Sequence, residues 1–359
     1  MSLKGNKGEW SEVYVLFKLL GEKKVFSGDK DLNKIANLFY PILKILRDEQ
    51  DRHLEYAIDG DIVVVDEDGT EVVTLPVSDF LAKANELLKA IKEGEGAFAV
   101  PSIEPFMNDI HCKRLKAKSK DKADIKLVIH DLRTGMTPLL GFSIKSQLGS
   151  PSTLLNAGIP TNFNFLITGT ELFDEEIDKI NSINNKRKIR DRVKAIINKG
   201  GNLEYHSMQN DTFRNNLVLI DSCMPQIVAE ILRISYSTEE VNIHKLVEVL
   251  TKENPLGFDM SSNHPYYEHK VKQLLVDIAL GMTPATTWKG KYDANGGYLV
   301  VKDDGDVLCY HFYDRNLFED YLFYNTKLES ASTTRYNFAK IFKKDDEQFF
   351  TLNLQIRFY

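Results

Sequence analysis

Between residues 124 and 147 the apolar positions alternate and then run together: Ile125, Leu127, Val128 and Ile129 lead to a turn at Arg133-Thr134-Gly135, and a second stretch, 139–146, comes back. A period of two predicts a β-hairpin with its strands half in a core. The N-terminal stretch 7–20, KGEWSEVYVLFKLL, has the other period. Trp10, Val13, Tyr14 and Phe17 fall at helical spacing, and Gly21 closes the element. Glu9 and Glu12 lie one turn apart at the edge of the buried side, where an acidic first turn also suits the helix dipole.

The same reading predicts a helix over 31–47, kinked at Pro41, and a hairpin over 61–75 with its turn at Asp68-Gly69. A helix follows over 78–91, capped by Ser78 and closed by Gly94, and another over 101–115. A loop rich in Gly, Ser, Pro, Thr and Asn runs from 147 to 164, then a strand over 164–168 and one long polar helix over 171–199. Helices are expected over 212–222, 226–235, 238–252 and 266–281. After these come a hairpin over 297–301 and 306–313 and a final strand over 348–358. Helices and hairpins in this order describe an α+β chain, not repeated βαβ units. The expected division is a core over 1–200 holding the central hairpin, a helical block over 201–285 and a β-rich segment over 286–359, packed as one unit.

Composition narrows the class. The chain has 359 residues, 43% hydrophobic and 10% aromatic, which describes a well-packed globular protein. It contains no apolar run of about 18 residues and no signal-like N-terminus, so no membrane span is expected. Three scattered cysteines suggest neither a disulfide framework nor a metal knuckle, which favours the cytoplasm. Net charge is −6, yet basic residues crowd 113–126 and 186–199 while acids dominate 59–71. An acidic total with two basic stretches permits a nucleic-acid groove without demanding one.

Several chemistries are excluded. There is no GxxxxGK[ST] loop, no GxGxxG after a strand, no HExxH and no GxSxG, and the eight histidines lie apart. Acids, a strand lysine and a polar loop remain. Phosphodiester hydrolysis needs an attacking water, a cation for the developing charge and help for the leaving oxygen. Mg²⁺ prefers carboxylates, carbonyls and water. Asp124 at the mouth of one strand, with a helical glutamate, suits one such ion. Lys145 on the partner strand shares a face with Ser143 and can orient or deprotonate the water. The plainer reading, an acid opening a strand and a lysine inside an edge strand, stays open beside it.

Asp124 followed about twenty residues on by Ser143-Ile144-Lys145 resembles the metal-binding and lysine core of the PD-(D/E)XK nucleases. More narrowly, the chain resembles Type II restriction endonucleases of the HpaII kind. The likeness is carried by Lys7-Gly8-Glu9-Trp10-Ser11-Glu12, 122–131, Gly141 to Ser146, Gly149 to Ala157, Thr161-Asn162-Phe163, Asn325 to Glu329 and Leu352 to Phe358. The resemblance implies a restriction-endonuclease-like mixed sheet flanked by helices. It also implies an Mg²⁺-dependent enzyme of a restriction–modification system that cleaves double-stranded DNA at a short palindrome, 5′-CCGG. Asp124 carries over as metal ligand, Lys145 as the catalytic lysine, and Glu9 as the helical glutamate with Glu12 as the alternative. One departure stands out: Ser143 occupies the position usually filled by Asp or Glu, two before the lysine. A hydroxyl is a poor Mg²⁺ ligand, so the second acid must come from the helix, or the metal uses the Ile144 backbone carbonyl.

Reading CCGG requires donors for guanine and acceptors for cytosine. Arg190-Asp191-Arg192 supplies both and resembles the R-(D/E)-R element of some endonucleases, although successive helical residues point about 100° apart. A solvated helix with an internal ion pair explains the trio equally well. Asn162, Asn164, Asn325, Lys327 and Arg335 are rival contacts, and the loop offers Ser150, Thr153 and Asn156. The chain would act as a monomer or a homodimer. An inactive nuclease-fold DNA-binding protein, or an interaction protein that uses the helical block, are the competing readings.

Overall fold

The helix Lys7–Glu22 begins because Asn6 and Glu9 cap each other: the Glu9 amide donates to Asn6 Oδ1 at 3.0 Å and the Asn6 amide donates to Glu9 Oε2 at 2.9 Å. It ends at Lys23, which turns left-handed at φ 59°. Trp10, Val13, Tyr14 and Phe17 are fully buried, as are Val15, Leu16, Leu19 and Leu20, so the helix is covered around most of its girth. The helix Val77–Glu93 lies against it so closely that a Cβ on Gly21 would stand 2.8 Å from the Leu81 backbone.

The computed structural model describes residues 2–49, 52–116, 123–292 and 295–359. They form two compact units, Met1–Ser152 with Tyr292–Tyr321, and Thr153–Lys291 with Leu322–Tyr359. These boundaries differ from a division at 200 and 285. The fold is α+β. Among the described residues no helix is long and apolar enough to cross a membrane.

The first unit is built on a nine-stranded sheet. In spatial order its strands are Lys24–Gly28, Val307–His311, Gly297–Val301, Leu139–Ser146, Ile125–Ile129, Lys34–Glu49, Arg52–Asp59, Ile62–Glu67 and Thr70–Pro76. Two joins are parallel, Gly297–Val301 with Leu139–Ser146 and Val307–His311 with Lys24–Gly28, and the rest are antiparallel. The second unit holds a four-stranded sheet, in the order Asn202–Met208, Asn162–Thr168, Glu347–Asn353, Ile341–Lys344. It also holds a three-stranded sheet, in the order Thr153–Leu155, Ile356–Phe358, Thr326–Leu328. Its longer helices are Asp174–Ser182, Lys188–Asn198, Asp211–Ile220, Met224–Ser237, Ile243–Glu253 and Tyr266–Ala279.

Several expectations are corrected. Residues 31–47 are no helix: most of the stretch lies in the 16-residue strand Lys34–Glu49. Its buried positions are Tyr40, Ile42, Ile45, Arg47 and Glu49, two alternating runs separated by a register shift between Ile42 and Lys44. That slip makes a period of two look like a helical one. The first half of the strand pairs with Lys24–Gly28 and the second half with two other strands, and Pro41 stands opposite Lys24 just before the register changes. The 101–115 stretch contains only the short helix Glu104–Asp109. The long helix over 171–199 is two, Asp174–Ser182 and Lys188–Asn198, broken around Asn184-Asn185. The final strand is also two, Glu347–Asn353 and Ile356–Phe358, in different sheets. Ser78 is not a cap; Pro76 holds that position with no side-chain bond. Part of the basic stretch, 117–122, lies outside the described residues.

Candidate active site

The hairpin forms as its alternation predicts, Ile125–Ile129 against Leu139–Ser146. Asp124 sits just before the first strand, where the ladder runs out. Its amide donates to the Phe142 carbonyl at 2.8 Å, and its Oδ2 accepts from the Ile144 amide at 2.7 Å. In a strand the N–H and C=O of one residue point to the same side. The Ile144 carbonyl therefore faces the edge that Asp124 occupies.

Side chains on the second strand alternate. Ile144 and Ser146 face the helix Lys7–Glu22, and Ser146 Oγ meets Ser11 Oγ at 2.8 Å. Ser143 and Lys145 project from the opposite face. Ser143 is buried, at 9% exposure, and points away from the cleft. Lys145 Nζ stands 4.9 Å from the centroid of the Tyr298 ring. Burial pushes the Lys145 ammonium below its ordinary value, and the charge of Asp124 pulls it partly back.

On the helix side lies a cleft of about 890 Å³. Glu9, Glu12, Lys116, Asp124, Ile144 and Ser150 line it, with the Gly94–Gly96 turn at its rim. The two helical glutamates differ sharply. Glu9 is engaged on both oxygens, Oε2 by the Asn6 amide and Oε1 by Lys116 Nζ at 3.2 Å. The cap holds its carboxyl below the usual range, and Lys116 adds to this. Glu12 makes no such cap or ion pair among the described residues. Burial, then the charge of Asp124, pushes its carboxyl up to about 8. Two carboxylates turned toward one space, with one held protonated, are a donor set short of positive charge.

A metal is therefore testable on chemistry. Among the described residues no three His, Cys, Asp or Glu side chains cluster as a metal site. Asp124, Glu12 and the Ile144 carbonyl are all hard oxygen donors at one edge, and Mg²⁺ keeps several of its waters. The set fits Mg²⁺ held by two carboxylates and a carbonyl. Ser143 lies on the other face together with Lys145, and Glu9, which also lines the cleft, is bonded within the cap.

The residues expected to read bases are placed differently. Arg192 is 5% exposed, and all three of its guanidinium nitrogens donate to backbone carbonyls: Ala339 and Asn181 at 2.6 Å and Ile183 at 2.7 Å. Arg190 donates to the Ser235 and Thr238 carbonyls and lies over the Tyr236 ring. Asp191 accepts from Asn185 at 2.7 Å. The trio thus closes helix ends inside the second unit. Asn162 is fully buried in a network with Gln209, Tyr336 and Asn353. Asn164 bonds Ser207 and Thr351, Thr153 accepts from Arg357 at 3.1 Å, and Asn325 accepts from the Tyr359 amide. Lys327 lies over Tyr359. Asn156 and Arg335 are exposed, the latter against the Tyr336 ring.

Sequence reasoning passed over Asn6, Lys116, Arg47 and Tyr298. Asn6 carried a signal, since Asn followed three residues later by Glu before an apolar run marks a capping box. Arg47 is 5% exposed, pairs with Glu49 at 3.1 Å and donates to the Arg114 carbonyl at 2.6 Å, while Glu49 accepts the Lys113 amide. That pair fixes the segment that delivers Lys116 to Glu9. Nothing local to Tyr298 pointed at the lysine.

Comparison with known proteins gives a consistent result. The family model for the HpaII restriction endonuclease matches residues 6–358. The chain is 47% identical to the Type II restriction enzyme HpaII of Haemophilus parainfluenzae, over 99% of this chain and 98% of that protein. No solved structure matches.

Proposed function

The chain belongs to the HpaII restriction endonuclease family, and from that premise we propose that it hydrolyses phosphodiester bonds of double-stranded DNA within 5′-CCGG, with Mg²⁺ as cofactor and a PD-(D/E)XK-like core. It is a Type II restriction endonuclease by kinship; the sequence it cuts and the ion it uses are the proposal. The observation that carries it is the set around Asp124. Its Oδ2 accepts from the Ile144 amide on the lysine strand at 2.7 Å, and Glu12 lines the same cleft.

In this reading Asp124, Glu12 and the Ile144 carbonyl hold the ion. When bound, Mg²⁺ supplies a Lewis acid for the phosphoryl oxygens and acidifies water. Lys145 approaches the same Asp124 from the other face of the sheet, beyond the last hairpin pair at Ile125 and Phe142, and its ammonium would oppose the negative charge that builds on the scissile phosphate. The helix Lys7–Glu22 holds Glu12 rigidly, because its capping box and the Ser11–Ser146 bond fix the helix to the lysine strand. Exposed Asn156 and Arg335 are better placed for base contacts than the buried Arg192. The enzyme acts in the cytoplasm as the cutting member of a restriction–modification pair, and a homodimer would match the two-fold symmetry of a palindrome.

Digestion of a plasmid of known sequence with Mg²⁺, with fragment ends mapped, tests this. Ends confined to CCGG are expected. Ends at another fixed palindrome would remove the site assignment, and random nicking or no cutting would overturn the proposal. A gel shift with a CCGG duplex in Ca²⁺ tests the interaction-protein alternative, which requires no salt-sensitive DNA affinity.

A further inference from the structure

We propose that Tyr298 is a positioning residue for the cutting reaction: its ring is the seat on which the Lys145 ammonium stands. This rests on the reading of Lys145 as the catalytic lysine. The strand Gly297–Val301 runs parallel to Leu139–Ser146, with Tyr298 opposite Ser143 and Val300 opposite Lys145. Tyr298, Ser143 and Lys145 consequently share one face, and Nζ lies 4.9 Å from the Tyr298 centroid. The ring is itself fixed. It is 3% exposed, packs edge-on to Phe318 at 5.3 Å between centroids, and is paired across the next strand with Tyr310, which stacks on Tyr321 at 4.1 Å.

A ring face attracts an ammonium through its quadrupole and engages no particular N–H in doing so. Among the described residues no carboxylate lies within ion-pair distance of Lys145. Lys116 is paired with Glu9, and the Arg192 donors end on carbonyls. Lys145 is instead held by an attraction that engages none of its N–H donors. An ion pair would hold it equally well and use them up.

The test is single-turnover cleavage by the full chain, with DNA affinity in Ca²⁺ measured alongside. Tyr298→Phe keeps the ring face and should cut within about threefold of wild type, whereas Tyr298→Leu should be slower by about 10-fold or more with affinity unchanged. Because Leu at a buried aromatic site can unfold the sheet, the deciding series is Phe at 298 with successively fluorinated rings, which keep shape and drain the face of charge. A stepwise fall in rate along the series is expected. A flat series, or Leu cutting as fast as Phe, overturns the assignment. Lys145→Ala separates the two layers. If it is inert while the series is flat, only the Tyr298 role fails; if it cuts like wild type, the catalytic lysine itself is wrong.

Discussion

The cleft beside the central hairpin and the helix Lys188–Asn198 carry the same kinds of residue and treat them in opposite ways. Around the hairpin, Glu12 is buried toward another carboxylate and Lys145 is desolvated on a ring, and neither makes an ion pair among the described residues. On the helix, all three guanidinium nitrogens of Arg192 end on backbone carbonyls, one nitrogen of Arg190 donates to two carbonyls, and Asp191 accepts from Asn185. The difference teaches that a charged motif becomes a site where the fold declines to neutralise it. An Arg-Asp-Arg string and an Asp-Lys pair look equally promising on paper. What separates them is how many of their donors and acceptors the protein has already used.

Breaking that contrast at its strongest point gives the largest effect. Lys145→Ala should lower Mg²⁺-supported cleavage by roughly 10³-fold, while a gel shift in Ca²⁺ shows DNA binding intact; full activity would end the catalytic reading. Next, the two glutamates should part. Glu12→Gln should cost on the order of 10²-fold in rate, and Glu9→Gln less than about threefold, since Gln still closes a capping box. Rate loss in the reverse order would exchange their roles.

On the other side of the comparison, Arg192→Met should destabilise the fold by about 3 kcal/mol, because it strands buried carbonyls. Fragment ends produced by the surviving enzyme should not change; relaxed site choice would restore Arg192 as a base reader. The smallest effect concerns pH. The Glu12 carboxyl is raised from 4.5 to about 8, so the folded chain binds more protons than the unfolded one between those values. Its stabilising share is complete below 4.5 and is lost as pH rises through about 8. In chelator, urea unfolding should therefore show stability declining steadily from pH 5 to 8. Glu12→Gln should flatten the slope, and Mg²⁺ should raise stability more at the alkaline end.

The legible parts of the chain were those where one local period held. The hairpin Ile125–Ile129 with Leu139–Ser146 kept a strict alternation, and the helix Lys7–Glu22 kept its stripe. The strand Lys34–Glu49 was misread because one slip in register moved its buried residues to helical spacing. Among the candidate site residues, Asp124 and Lys145 were singled out by the hairpin together with the family resemblance. The choice between Glu9 and Glu12 could not be made so, since it depends on a cap, a lysine from 116 and the burial of a single carboxylate. Arg192 was opaque for the same reason in reverse: its carbonyl partners at 181, 183 and 339 are set by the tertiary fold.

The parallel pairing of Lys145 with Val300 also sets a clock. Residue 300 follows residue 145 by 155 positions, which at about 5–20 residues per second is roughly 8–30 s of synthesis. Throughout that interval the lysine strand has a neighbour on one edge only, and the ring that seats the lysine has not yet left the ribosome. Nascent chains in that interval hold the acids and the lysine without the strand that pairs beside Lys145. Arrested chains ending before Gly297 should be inert toward DNA. On the reading of Lys145 as the catalytic lysine, the late strand would delay the seating of that lysine until most of the chain is made.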